Sequence, residues 1–248
     1  MNLIVSGFRK PQFILLLLVL ILATSSQSAL ATFADSHLIR VYYDRFDGRE
    51  VVSDLGVITS LLAAQGEQVY AGSFGQIDSN SASTFAVYFA VDRVTNQLWA
   101  SGSTSTPSVI VGGATGMATI KSNVPSIYPL WNTQGGATYF GGPFPLASYK
   151  TRLSATQGNL GGAINAATRI YTELPLANLA NNNTQFLYYW NNGVTTNALE
   201  KVGVPVAVIT TNFDGSTTLA ALPTPIPAAA WLLGSGLLGL VGIRRRNA

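Results

Sequence analysis

Cysteine is absent from the 248 residues, and histidine occurs once, as His37. The first absence excludes a disulfide framework, thiolate metal sites, iron–sulfur ligation and a cysteine nucleophile. The second means that a serine triad would have to use His37 as its base, and that a zinc site would have to be built almost wholly from carboxylates. Charge is scarce too, with 14 Lys or Arg and 11 Asp or Glu against 48% hydrophobic residues. That balance excludes disordered, collagen-like and coiled-coil chains. Five of the cations, Arg9, Lys10, Arg244, Arg245 and Arg246, sit at the two ends. Without them nine basic residues (14 less 5) face eleven acidic ones, so the body carries −2. No basic stripe remains to release counterions from phosphates, and no nucleic-acid partner is expected. An enzyme, a cofactor and a metal are not expected either.

The N-terminal 31 residues have the order of a secretory signal. Arg9-Lys10 is followed by an apolar run from Phe13 to Ala23, a polar Thr24–Ser28 stretch and Ala29-Leu30-Ala31. The run is too short for a permanent membrane helix, and the small side chains of Ala29 and Ala31 suit a signal peptidase cutting after Ala31. The expected partners are therefore the Sec export machinery and signal peptidase.

At the other end, Leu222-Pro223-Thr224-Pro225-Ile226-Pro227 is stiffened by three prolines that can neither continue a helix nor donate to a ladder. Residues 226–243 carry no charge. As a helix they reach roughly 27 Å at ~1.5 Å per residue, about the thickness of a thin hydrocarbon core. Arg244, Arg245 and Arg246 then read as a stop-transfer signal kept in the cytoplasm by the positive-inside rule. These signals predict a precursor anchored transiently in the inner membrane, with its body outside the cytoplasm, and then release to the cell surface or beyond.

The succession of a proline motif (Thr224, Pro225, Ile226, Pro227, Ala228), the helix around Trp231-Leu232-Leu233-Gly234-Ser235-Gly236 and a terminal arginine cluster resembles the PEP-CTERM sorting signal. It is closest to the variant whose motif reads Val-Pro-Leu-Pro-Ala. The resemblance implies an exported protein recognised and cut by an exosortase-like membrane protease, and associated with exopolysaccharide and biofilm matrix. It covers the tail and leaves the body unassigned.

The body, residues 32–222, holds 77 Ser, Thr, Asn, Gln or Gly against 20 charged residues, so its solvated surface is mostly neutral and polar. Strand patterns dominate. His37–Asp44 and Glu50–Gly56 flank the turn pair Asp47-Gly48, Thr84–Arg93 precedes Leu98–Ser101, and Val204–Thr211 and Ser216–Leu219 flank Asp214-Gly215. Phe186–Trp190 is a further aromatic strand, and Pro205 marks its own strand as an edge or places it at the strand start. Short helices are expected at Leu61–Ala64, Ala147–Leu153 and Leu174–Ala180, separated by Gly-Gly pairs. The expected architecture is mainly β: an antiparallel two-layer β-sandwich with short helices in a loop-rich centre, between the signal peptide (1–31) and the proline motif (223–228), membrane helix (226–243) and basic tail (244–248).

Asp44, Asp47, Glu50 and Asp54 lie close together, but Arg45 and Arg49 are interleaved and the spacing is not that of an EF-hand. They read as hairpin surface charges rather than a calcium loop. Glu67, Asp78, Asp92, Glu173 and Asp214 are candidate acids for glycoside hydrolysis, with nothing to single out a pair. His37 reads as a partly exposed strand residue. The aromatics carry the better binding signal, because a pyranose packs its C–H face on a flat ring. Trp99 and Trp190, in strands, read as core. Trp131, with Tyr128 and Tyr139, stands open between core and an exposed sugar platform. The leading expectation is an exported structural or adhesive matrix protein, and the alternative is a carbohydrate-binding module.

Overall fold

The computed structural model describes residues 33–102, 110–111, 114–143, 148–153, 173–177, 183–192 and 202–223. Among the described residues eleven strands run in chain order as β1 (His37–Asp44), β2 (Glu50–Val57), β3 (Glu67–Tyr70), β4 (Thr84–Asp92), β5 (Gln97–Gly102), β6 (Ile110–Val111), β7 (Thr138–Gly141), β8 (Leu174–Pro175), β9 (Asn183–Trp190), β10 (Val202–Thr211) and β11 (Thr217–Ala221). The helices are α1 (Ile58–Ala63), α2 (Ala114–Trp131) and the single turn α3 (Tyr149–Arg152).

The three hairpins form where the sequence places them. At the β1–β2 turn the Asp44 carboxylate accepts from the backbone of Phe46 at 2.6 Å, while Gly48 takes the left-handed φ of 77° that closes the loop. Gly215 does the same between β10 and β11 at φ 82°, and a Cβ there would sit 2.7 Å from the Ser73 backbone.

The strands make one antiparallel sheet in the order β3-β11-β10-β9-β5-β4-β1-β2-β7, with β6 beside β10 and β8 beside β4. The sheet curls into a half-barrel. Arg40 on β1 donates to Thr217 Oγ1 on β11 at 3.0 Å, although four strands separate β1 from β11 in the sheet. Strand twist accumulating in one hand brings such distant strands face to face.

Alternation along each strand then divides the core in two. Leu38, Tyr42, Tyr88, Trp99, Leu187, Ile209 and Leu219 fill the concave side, while Ile39, Val41, Tyr43, Val87, Phe89, Tyr188 and Trp190 face outward. The outer set is covered by α2, which buries Ile120, Val124, Ile127 and Trp131 at helical spacing. Pro125 and Pro129 lie inside α2 but on its exposed face, where water can take the carbonyls they leave unbonded.

The expected two-layer sandwich is thus corrected. The second layer over the sheet is a helix, and the concave side is closed by the sheet's own curvature. The membrane expectation is corrected as well. Among the described residues no helix is long and apolar enough to cross a membrane. The longest, α2, carries Lys121, Asn123 and two prolines, so it covers a sheet with one face only. The inner-membrane-anchored precursor therefore has no support here. Residues 226–243, on which it was placed, lie outside the described residues, as do Ala29, Ala31, Thr224, Pro225, Ile226, Pro227, Ala228, Arg244, Arg245 and Arg246.

Two local expectations also change. Leu174–Pro175 pairs with Ala86 and Phe85 on β4 instead of opening a helix. Pro205 sits in β10, between β9 and β11 in the sheet, at a register irregularity between Pro205 and Ala207 that accommodates the missing N–H.

Candidate functional site

Glu50 opens β2 and points, with Val52, to the outer face, under the end of α2. Its Oε1 accepts from Trp131 Nε1 at 2.9 Å and its Oε2 from the backbone N–H of Tyr149 at 2.7 Å. That N–H is presented by α3, which starts at a capping box between Ser148 and Thr151. Burial pushes the Glu50 carboxyl up to about 7, against the pull of these two donors.

Tyr149 continues the network from its other end. Its hydroxyl donates to Glu173 Oε1 at 2.9 Å, while Glu173 Oε2 accepts from Tyr43 at 2.7 Å and from Arg45 at 2.7 Å. Burial, and then the Glu173 charge, drive the Tyr43 and Tyr149 phenols upward, so both remain protonated donors. The Arg45 guanidinium lies 3.8 Å over the Phe85 ring. Two carboxylates thus share one tyrosine, one through its amide and one through its hydroxyl.

A carboxyl near 7 has the value a general acid–base needs. In Glu50, however, each oxygen already accepts from the body and the side chain is buried. What the arrangement accomplishes is to clamp β2 to α2 and α3.

On the concave side Arg40, also buried, donates to the Gly215 carbonyl at 3.2 Å, Thr217 Oγ1 at 3.0 Å, Ser53 Oγ at 2.9 Å and the Ala71 carbonyl at 3.0 Å. It joins β1, β2 and β11 with the chain leaving β3. A Cβ on Gly72 would come within 2.3 Å of the guanidinium, so the chain passes here only as glycine. His37 Nδ1 lies 2.7 Å from Asp54 Oδ2, and burial raises the Asp54 carboxyl while His37 pulls it back.

The rim beside β7 is open. A cleft of about 410 Å³ is lined by Arg49, Glu50, Val51, Gly75, Gln76, Ile77, Phe140, Gly141 and Gly142. Phe140 is 50% exposed there. Arg49 is neutralised by Asp47 at 3.2 Å. The side-chain amide of Gln134 donates to the Phe140 carbonyl at 2.8 Å and accepts the Phe140 N–H at 3.0 Å, so it occupies the free edge of β7 as another strand would.

Of the sequence-predicted platform, Trp131 is 0%, Tyr128 5% and Tyr139 7% exposed, so none offers a ring face to solvent. Trp131 packs edge-on against Phe33 instead. Trp99 and Trp190 are buried, as expected of core residues. The hairpin carboxylates are not all surface charges, since Glu50 and Asp54 are buried. Among the described residues no group of three or more His, Asp or Glu is placed to hold a metal. Of the candidate acids, Glu173 alone enters the network described above.

Sequence reasoning missed Arg40, Glu50, Tyr149, Gln134 and Phe140. A signal existed for Arg40, which stands between Leu38 and Tyr42 at the parity of the concave face, and for Glu50, at the parity of Val52. Comparison with protein-family models, with curated proteins and with solved structures returned no match for this chain, and so adds nothing to the sorting-signal resemblance or to the biofilm and exopolysaccharide association that came with it.

Proposed function

We propose that this chain is an exported, non-enzymatic protein with a structural or adhesive role among hydrated polymers outside the cytoplasm. In this reading residues 1–31 direct export through the Sec machinery and signal peptidase. Residues 223–228 are the segment on which a processing protease of the exosortase type acts.

The observation that carries the reading is the inward use of the reactive groups. Glu50, Glu173 and Arg40 spend their hydrogen-bonding capacity on holding elements of the body together. The rest of the body's polar complement is mostly neutral, with 77 Ser, Thr, Asn, Gln or Gly against 20 charged residues in 32–222. Such groups interact with polymer hydroxyls with little dependence on salt.

The test is cell fractionation with intact-mass measurement in the native host. The expected result is extracellular protein that begins at Thr32 and ends between Thr224 and Ala228. Full-length protein confined to the cytoplasm would overturn the reading.

A further inference from the structure

We propose that the cleft at the β7 rim binds a neutral polysaccharide, with Phe140 as its stacking platform. The ligand class rests on the extracellular reading above, but the site rests on its own geometry.

The volume of about 410 Å³ lies within the usual range of ligand pockets, and one wall is the half-exposed ring of Phe140. Gly75 keeps that ring uncovered: at φ 58°, a Cβ there would lie 3.1 Å from Phe140 Cε1 and from Val51 Cγ2. Gly75, Gly141 and Gly142 bring bare backbone to the cleft, and Gln76 adds an amide that both donates and accepts. A flat apolar face beside mixed donors and acceptors matches a pyranose, which has a C–H face ringed by hydroxyls.

Two observations exclude the competing occupants. A peptide adding itself as a strand would need the free N–H and C=O of Phe140, and Gln134 holds both. An anionic ligand would need unopposed positive charge, but Arg49, the cation of the lining, is paired with Asp47.

The experiment is native affinity electrophoresis of the purified full chain through gels containing dextran, xylan or galactomannan, with alginate as the anionic arm. Wild type should be retarded by at least one neutral polymer and not by alginate. Phe140→Ala should weaken that retardation roughly tenfold or more, and Phe140→Tyr should retain it. Gly142→Leu offers an independent steric test. A Cβ at Gly142 meets nothing within 4 Å, so the leucine occupies the cleft without displacing the fold, and retardation should disappear while the melting temperature holds.

Free migration of wild type through all three neutral gels, retardation by alginate alone, or equal retardation of wild type and Phe140→Ala would each overturn the site. Export is judged separately by location and mass, so either proposal can fail without the other.

Discussion

The two faces of the curled sheet solve the same problem, a buried charge, in opposite ways. On the concave face a cation, Arg40, is answered by carbonyls and hydroxyls alone. On the convex face two anions, Glu50 and Glu173, are answered by indole, phenol and amide donors and by the Arg45 guanidinium. A guanidinium keeps its charge in proteins, whereas burial pushes the Glu50 carboxyl of the convex face up to about 7. Closure of the half-barrel is therefore built to be indifferent to pH, and docking of its helical cover is built to respond to it.

The largest effect should come from the concave side. Arg40→Met preserves bulk but strands three buried acceptors and a part-buried fourth, which should cost about 3–5 kcal/mol of unfolding free energy. Urea titrations at pH 5 and pH 8 should show the same loss. A loss that differs between them would erase the contrast between the faces.

Glu50 sharpens the contrast from the other side. Its folded-state pKa lies above the ordinary carboxylate value, so between the two the native state binds more protons than the unfolded one, and stability falls as pH rises. The stabilisation is complete below about 4.5 and is lost as pH climbs through about 7. Its size is roughly 3 kcal/mol, from ~1.36 kcal/mol per pH unit. Asp54, raised by burial, adds a slope of the same sign. Subtracting the Glu50→Gln profile from wild type cancels that background and isolates the contribution of Glu50. An unchanged slope in Glu50→Gln would place the pH response elsewhere.

The smallest effect concerns a mismatch on the convex face. The Tyr128 hydroxyl is buried and has no hydrogen-bond partner among the described residues. Tyr128→Phe removes the unsatisfied group and should raise stability by about 1 kcal/mol, read as a higher melting temperature. A lower one would mean that the hydroxyl is satisfied in solution.

What could be read in the chain was whatever depends on neighbours. The Asp47-Gly48 and Asp214-Gly215 turns carry their own chemistry, so the hairpins they join were legible. β4 was legible as a strand, but a strand buried on both faces, as β4 is, reads the same whether a second sheet or a helix covers it. That is why a sandwich was expected where α2 lies. The helix itself was hidden by Pro125, Pro129 and the preceding Gly112-Gly113, which are tolerated because the prolines face solvent and tertiary packing outweighs propensity. Burial of Glu50 was not legible because its partners are Trp131 and Tyr149, 81 and 99 residues away. Beside Arg49 in the chain it looks like half of a surface pair. Phe140 gave no sign of its exposure, since an aromatic on a four-residue strand carries no periodicity to set its face.

The amide of Gln134 has a consequence for assembly at high concentration. Strand-by-strand association is a step-growth process that lengthens without limit only when every unit presents two reactive ends. With both backbone groups of Phe140 already engaged, a unit of this chain has its β7 end terminated. Growth through the β7 edge is thereby blocked at its centre, so that edge gives no template on which a second copy could lay a strand.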